Sequence, residues 1–320
     1  MKNIKTLFKH RLSVLSHQLL AAEQQKSPAM WLYQNEARTS LFYLEAMCRV
    51  LGAAGNAKRF DKLKAQFKML EDALGELDYY DAWWHEFSAN KAISADVLMA
   101  IDHQRDLAEL RLNGLLKKEA WLLSKSTRVT KIKKQIKKIN WPSDTDFVAH
   151  AHDFYQHTIA DINAHLAKPL VDIEADVHEL RRDVRWLSIY PQAFKGFFSL
   201  KPARVTYQKF GKYLSAEVVN SPFNRLEAAD DVVPLLLNQN NFYAMSWLIA
   251  TLGTIKDQGL RLELLTHALQ TVEGLPDDAA QSKALELLGQ QQATHVQLIS
   301  AANFVAQKIK RDAVLSGLLA

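Results

Sequence analysis

The chain holds 320 residues, of which 48% are apolar, enough to bury a large core and to exclude a disordered chain. Eleven Gly and eight Pro are too few for a many-turned β sandwich or barrel, and the lone Cys48 excludes an intramolecular disulfide and a cysteine-cluster metal site. The net charge of +5 is unevenly spread: residues 1–140 carry 24 Lys and Arg against 15 Asp and Glu, whereas residues 141–320 carry 16 against 20.

Helical periodicity runs along almost the whole chain. A first amphipathic helix is predicted over about 3–25. Its basic start is followed by Ser13, Ser16, His17 and Gln18, which interrupt any signal-peptide core. No apolar run reaches the roughly 18 residues of a membrane span, so the expected location is cytoplasmic. Further helices are expected over about 30–52 and 56–76, then an aromatic linker from Tyr79 to Trp84. A long helix starts near Ser94 and passes Leu116, with Gly114 as a candidate break, and another covers 131–139. Trp141-Pro142 is the best boundary between two halves, 1–140 and 141–320, that together make one domain. Ser143 or Asp144 caps the next helix, which runs to about Leu166, and another covers 170–189. The stretch 190–222 is irregular, and helical segments follow over 222–238, 240–252, 258–273 and 277–317. No strand alternation stands out. The expected fold is all-α, built as two pseudo-repeated antiparallel helical bundles.

Positive charge concentrates in two stretches. Residues 112–140 hold nine Lys and Arg against Glu119 alone, and 181–212 hold eight against Asp183 alone. Such patches suit a polyanion, although a solvated charged face gives the same pattern. In the segment 177–187, which leads into the second, His178, Arg181, Arg182 and Arg185 fall in an arc of about 100° on a helix. Ile173, Val177, Leu180, Val184 and Leu187 lie on the opposite side. A planar guanidinium donates two parallel hydrogen bonds, the geometry that phosphate accepts. Carboxylates at Glu174 or Asp183 could instead pair with this face.

The segment resembles the His-x-x-Arg-x-x-x-Arg helix of the CHAD domain, the conserved-histidine α-helical domain. That family has two similar helical halves, each with such a helix and a later Leu-Gly-x-[Leu/Val/Ile]-x-Asp element. Here the second half offers His178, Arg181 and Arg185, then Leu252-Gly253-Thr254-Ile255-Lys256-Asp257. The first half offers Arg38 and then Leu74-Gly75-Glu76-Leu77-Asp78-Tyr79, with Tyr79 in place of the element's aspartate and Asn35 at the histidine position. Phe42, Tyr43 and Glu45 stand where the family has arginines. The resemblance implies a non-enzymatic protein that binds inorganic polyphosphate in a basic groove between the halves, with granule association as a further implication. Carried over, it points to His178, Arg181, Arg182, Arg185 and Arg38.

The helix 131–139 could make good the cations lost from the first half. Ile132, Ile136 and Ile139 form an apolar stripe, with Lys131, Lys134 and Lys138 opposite and Lys133 and Lys137 flanking. Arg128 and Lys125 extend the patch. Single-stranded nucleic acid offers the same charge pattern and stands behind polyphosphate as a partner. Asp146, His150, Asp153, His157 and Asp161 share one helix face, where Asp–His pairing is expected ahead of a metal site. A metal-dependent phosphohydrolase using that face is the third reading, after polyphosphate binding and a ligand-free helical scaffold. No Gly-rich phosphate loop or nucleophile elbow is present, and neither catalysis nor a cofactor is expected.

Overall fold

In a computed structural model of the chain, residues 3–122, 127–203, 208–226 and 232–320 are described. Lys125 and Arg204 of the basic stretches lie outside them. Among the described residues the regular structure is thirteen α-helices, two short non-α turns and one pair of four-residue strands, so the chain is all-α. No helix among them is long and apolar enough to cross a membrane. Contacts divide the chain into two units, one up to Phe147 and one from Val148 onward.

The first unit contains α1 (Ile4–Glu23), α2 (Pro28–Gln34), α3 (Ala37–Ala53), α4 (Ala57–Ser88), α5 (Ala95–Lys118) and α6 (Thr127–Ile136). Side chains cap the starts: Asn3, Ser27 and Ser94 accept the backbone N–H groups of Thr6, Met30 and Val97. Ile4, Phe8, Leu12, Leu15 and Leu19 recur every third or fourth residue of α1 and are all buried. Phe8, Phe60 and Trp141 pack edge to face at centroid distances of 5.5–6.3 Å, so the Trp141-Pro142 turn belongs to this core. α4 is the central helix, packed on both α3 and α5. The expected aromatic linker is wrong: Tyr79 to Trp84 lie inside α4. No Gly or Pro interrupts residues 76–88, and Leu77 and Phe87 keep the buried stripe going. α5 likewise passes Gly114 unbroken.

At the boundary α7 (Asp144–His165) starts with Ser143 Oγ accepting the Asp146 N–H at 3.1 Å. A π-helical turn (Ile173–His178) runs straight into α8 (Glu179–Ala193). Then come β1 (Phe198–Lys201), α9 (Gln208–Gly211), α10 (Ala216–Asn220), a 3₁₀ turn (Pro222–Asn224) and β2 (Leu235–Asn238). The two strands pair in parallel, Phe198 opposite Leu235, and correct the expectation of a helix over 222–238. α11 (Gln239–Glu273), α12 (Asp277–Leu288) and α13 (His295–Arg311) complete the unit. α11 is one 35-residue helix rather than two; Gly253 stays helical where the sequence reading placed a break, and Gly259 is helical as expected. The π turn, α8, α12 and α13 all pack on α11. The expected apolar side of the His/Arg helix is its core side: Ile173, Val177, Leu180, Val184 and Leu187 are buried.

Candidate functional site

Each unit seats an arginine on the glycine of its Leu-Gly element. In the first unit Arg38, in the first turn of α3, lies against Gly75 of α4, where a Cβ would stand 2.6 Å from Nη2. Its Nε donates to Glu71 and its Nη1 to Asp78, both at 2.7 Å. Glu71, Gly75 and Asp78 share one face of α4, so the bare glycine backbone lets the guanidinium lie flat between two carboxylates. Burial pushes the Glu71 carboxyl up, and Arg38 pulls against that shift. Burial, with the carboxylates of Asp78 and Asp81, also raises the Tyr33 phenol. Acids dominate the surroundings of Arg38.

In the second unit Arg181, in the first turn of α8, lies against Gly253 of α11, where a Cβ would stand 3.0 Å from Nε. That Nε donates to the Ile249 carbonyl at 3.3 Å. The places that hold Glu71 and Asp78 around Gly75 hold Ile249 and Lys256 around Gly253. The neighbours of Arg181 are tied down on their own helix. His178 Nδ1 is 2.9 Å from Glu174 Oε2, and the exposed Arg182 pairs with Glu179. Arg185 is half-buried on α8. Asp183 faces His165, with Nδ1 3.5 Å from its carboxylate.

The lysines of α6 and its C-terminal turn differ. Val129, Ile132, Ile136 and Ile139 are buried, which turns Lys131, Lys133, Lys134, Lys137 and Lys138 out to solvent. None of the five has an ion-pair partner among the described residues. Arg59, near the start of α4, donates to the Lys138 carbonyl, and Asn56 donates to the Asn140 carbonyl at 3.1 Å. This joins the exposed Lys58, Arg59 and Lys62 to the patch. Arg128, expected to extend it, is paired with Glu119 instead.

The Asp146–Asp161 face of α7 is exposed, and His157 Nδ1–H donates to the Asp153 carbonyl at 2.7 Å. No group of three or more His, Cys, Asp or Glu among the described residues is placed to hold a metal ion. Two features were not read from the sequence. An open hollow of about 460 Å³ in the first unit is lined by Asn35, Thr39 and Tyr43 of the first-half motif and by Arg11. The Arg11 guanidinium stands 4.3 Å above the Tyr43 ring, a cation beside the positions where the resemblance lacks arginines. The second is a cluster of cations at the end of α13, joined by lysines about 100 residues earlier in the chain. Neither has a local sequence signature, because each joins helices distant in sequence. No protein-family model matches the chain, and no curated protein matches it.

Proposed function

We propose that the protein binds inorganic polyphosphate, or a linear polyanion of similar charge density, and performs no chemistry on it. The observation that carries this reading is α6 and the turn after it: five exposed lysines with no ion-pair partner among the described residues, turned to one side by a buried isoleucine stripe. Uncompensated cations along one face favour a ligand that replaces many small counterions at once. Lysine ammoniums act as mobile point charges and follow a phosphate chain without reading a sequence. The His178–Arg185 face is the other half of the proposal. There Arg181 and Arg185 stand beside His178 and Arg182, whose carboxylate partners Glu174 and Glu179 a phosphate would displace. CHAD-like pseudo-symmetry of the two units is part of the same proposal, supported by the matched Arg38–Gly75 and Arg181–Gly253 seats.

The test is binding of long-chain polyphosphate across a sodium chloride series, with single-stranded DNA as competitor. With about 0.7 counterions released per contact, Lys131→Gln/Lys134→Gln/Lys138→Gln should lower the slope of log affinity against log salt by about 2. An unchanged slope, or DNA displacing polyphosphate at equal nucleotide and phosphate concentration, overturns the proposal. A ligand-free helical scaffold is the second reading. It is favoured by Arg38, whose guanidinium is spent on Glu71 and Asp78. Absence of polyphosphate binding at low salt by folded protein selects it.

A further inference from the structure

The end of α13 gathers cations that its own helix does not require. Lys308, Lys310 and Arg311 sit in its last turn, where the helix dipole favours positive charge. Lys209 and Lys212 arrive from the α9 segment and converge on the next residue, Asp312. Lys212 Nζ is 2.5 Å from the Asp312 carboxylate, Tyr213 OH donates to it at 2.6 Å, and Lys209 Nζ donates to the Asp312 carbonyl at 3.4 Å. Arg311 Nε is 3.7 Å from the same carboxylate. Lys308 Nζ stands 4.9 Å from the Tyr213 ring centroid and 4.6 Å from that of Trp247, and Lys212 Nζ is 5.1 Å from the Tyr213 centroid. Lys212 and Arg311 thus pair with the Asp312 carboxylate, whose side chain is only 10% exposed, while Lys209 holds its backbone carbonyl and Lys308 stands over the neighbouring rings.

We infer that Lys209, Lys212, Lys308 and Arg311 form an anion site for a short run of linked phosphates. The site lies wholly in the second unit and does not depend on α6, so the inference goes beyond the polyphosphate reading above. The charge balance selects the ligand. Among the described residues Asp312 is the one carboxylate paired with these four cations, which leaves three positive charges without an ion-pair partner there, more than a single carboxylate ligand neutralises. Linked phosphates spread several negative charges over successive oxygens. They can meet the ammoniums beside the Tyr213 ring and the fork of Arg311 together. Burial and then Lys212 lower the proton affinity of the Lys308 ammonium, Asp312 raises it, Arg311 lowers it again, and a bound anion would act with Asp312. The carboxyl of Asp312 is pushed up by burial, but hydrogen bonds from Lys212 and Tyr213 outweigh this and hold it below its usual range. It stays ionised as the anchor of the lysines.

The experiment is calorimetric titration of the full chain with tripolyphosphate, ATP and inorganic phosphate at low ionic strength. The variants are Lys209→Gln/Arg311→Gln and, separately, Lys131→Gln/Lys134→Gln/Lys138→Gln. Lys209 and Arg311 are exposed, the latter by 72%, so their removal leaves the core intact. Tripolyphosphate affinity should fall about tenfold or more in the first variant, as loss of charged hydrogen bonds implies, and change less than about twofold in the second. Binding should alter tryptophan fluorescence, and that change should vanish in Trp247→Phe. ATP binding as tightly as tripolyphosphate assigns the site to nucleotides; tripolyphosphate alone assigns it to free oligophosphate. The inference is overturned by no tripolyphosphate binding, by wild-type affinity in Lys209→Gln/Arg311→Gln, or by loss confined to the α6 variant. That last result would leave the α6 proposal standing, whereas the expected pattern establishes this site and leaves α6 to be judged by the long-chain polyphosphate salt series.

Discussion

Replacing Gly75 by alanine should destabilise the first unit, although alanine is the better helix former by about 1 kcal/mol. The added Cβ would stand 2.6 Å from Arg38 Nη2 and 3.0 Å from Cζ, so the guanidinium has to leave its seat. Arginine is flexible, but here both of its ends are engaged, on Glu71 and on Asp78. The Glu71 side chain is 8% exposed, and separating it from its partner strands a buried carboxylate. Breaking a fully buried pair costs about 3–5 kcal/mol; with Arg38 34% exposed, about 2 kcal/mol is the appropriate figure. The Asp78 pair, 40% exposed on the acid side, adds less than about 1 kcal/mol. After the gain in helix propensity, Gly75→Ala should cost about 1–2 kcal/mol. In an Arg38→Met background nothing fills the seat, and the same substitution should stabilise by about 1 kcal/mol. The coupling between the two positions is therefore about 2–3 kcal/mol. Gly114→Ala, also inside a helix but with nothing within 4 Å of the new Cβ, is the control and should stabilise by about 0.5–1 kcal/mol in either background. Hydrogen exchange of the α4 amides reads these changes locally, which matters in a chain of two units. Gly75→Ala behaving like Gly114→Ala with Arg38 present would refute the reasoning.

Two further outcomes follow from the second unit. The Glu263 carboxylate, 3.4 Å from His295 Nε2, raises the His295 pKa above its ordinary value against the opposing effect of burial. A proton held more tightly in the folded state stabilises fully below the unfolded pKa of about 6.5, and this stabilisation is lost as pH rises through the raised folded value. The stability difference between wild type and His295→Gln should therefore shrink from pH 5.5 to pH 8.5 in urea titrations, and a pH-independent difference would contradict the pairing. Tyr155 is fully buried, and its hydroxyl donates to the Leu187 carbonyl. Tyr155→Phe should cost about 1–3 kcal/mol by leaving that carbonyl unsatisfied, measured by exchange of the α8 amides. A neutral substitution would mean the carbonyl finds another donor.

The sequence made the local features legible. The Ser143 cap, the Ile132–Ile136–Ile139 stripe and the buried side of the His178–Arg185 helix each follow from spacing within one helix. So did the carboxylate Glu174, four residues before His178. Features set by distant partners were not legible. Glu71 and Asp78 lie 33 and 40 residues from Arg38, and no periodicity reveals that they claim its guanidinium. Gly253 reads either as a helix end or as a point of close approach, and spacing alone does not choose between them. Its actual role is to leave room for Arg181 on an unbroken α11. The strand pair joins two four-residue segments too short to display alternation. Lys209 and Lys212 gain meaning only where the fold brings Asp312 to them.

The parallel pair of β1 and β2 has a consequence for how this chain can vary. It fastens Phe198–Lys201 beside Leu235–Asn238, and β2 passes directly into α11, so residues 202–234 form an excursion pinned at its base. Tyr213, buried and bonded to Asp312, clips the excursion a second time. Asn224, buried and accepting from Ser246 of α11, holds it a third time, so charge changes at exposed positions such as Lys209 and Glu217 can accumulate while the α8–α11 packing stays fixed. The excursion is where descendants of this chain can acquire a different ligand without redesigning the bundle that carries it.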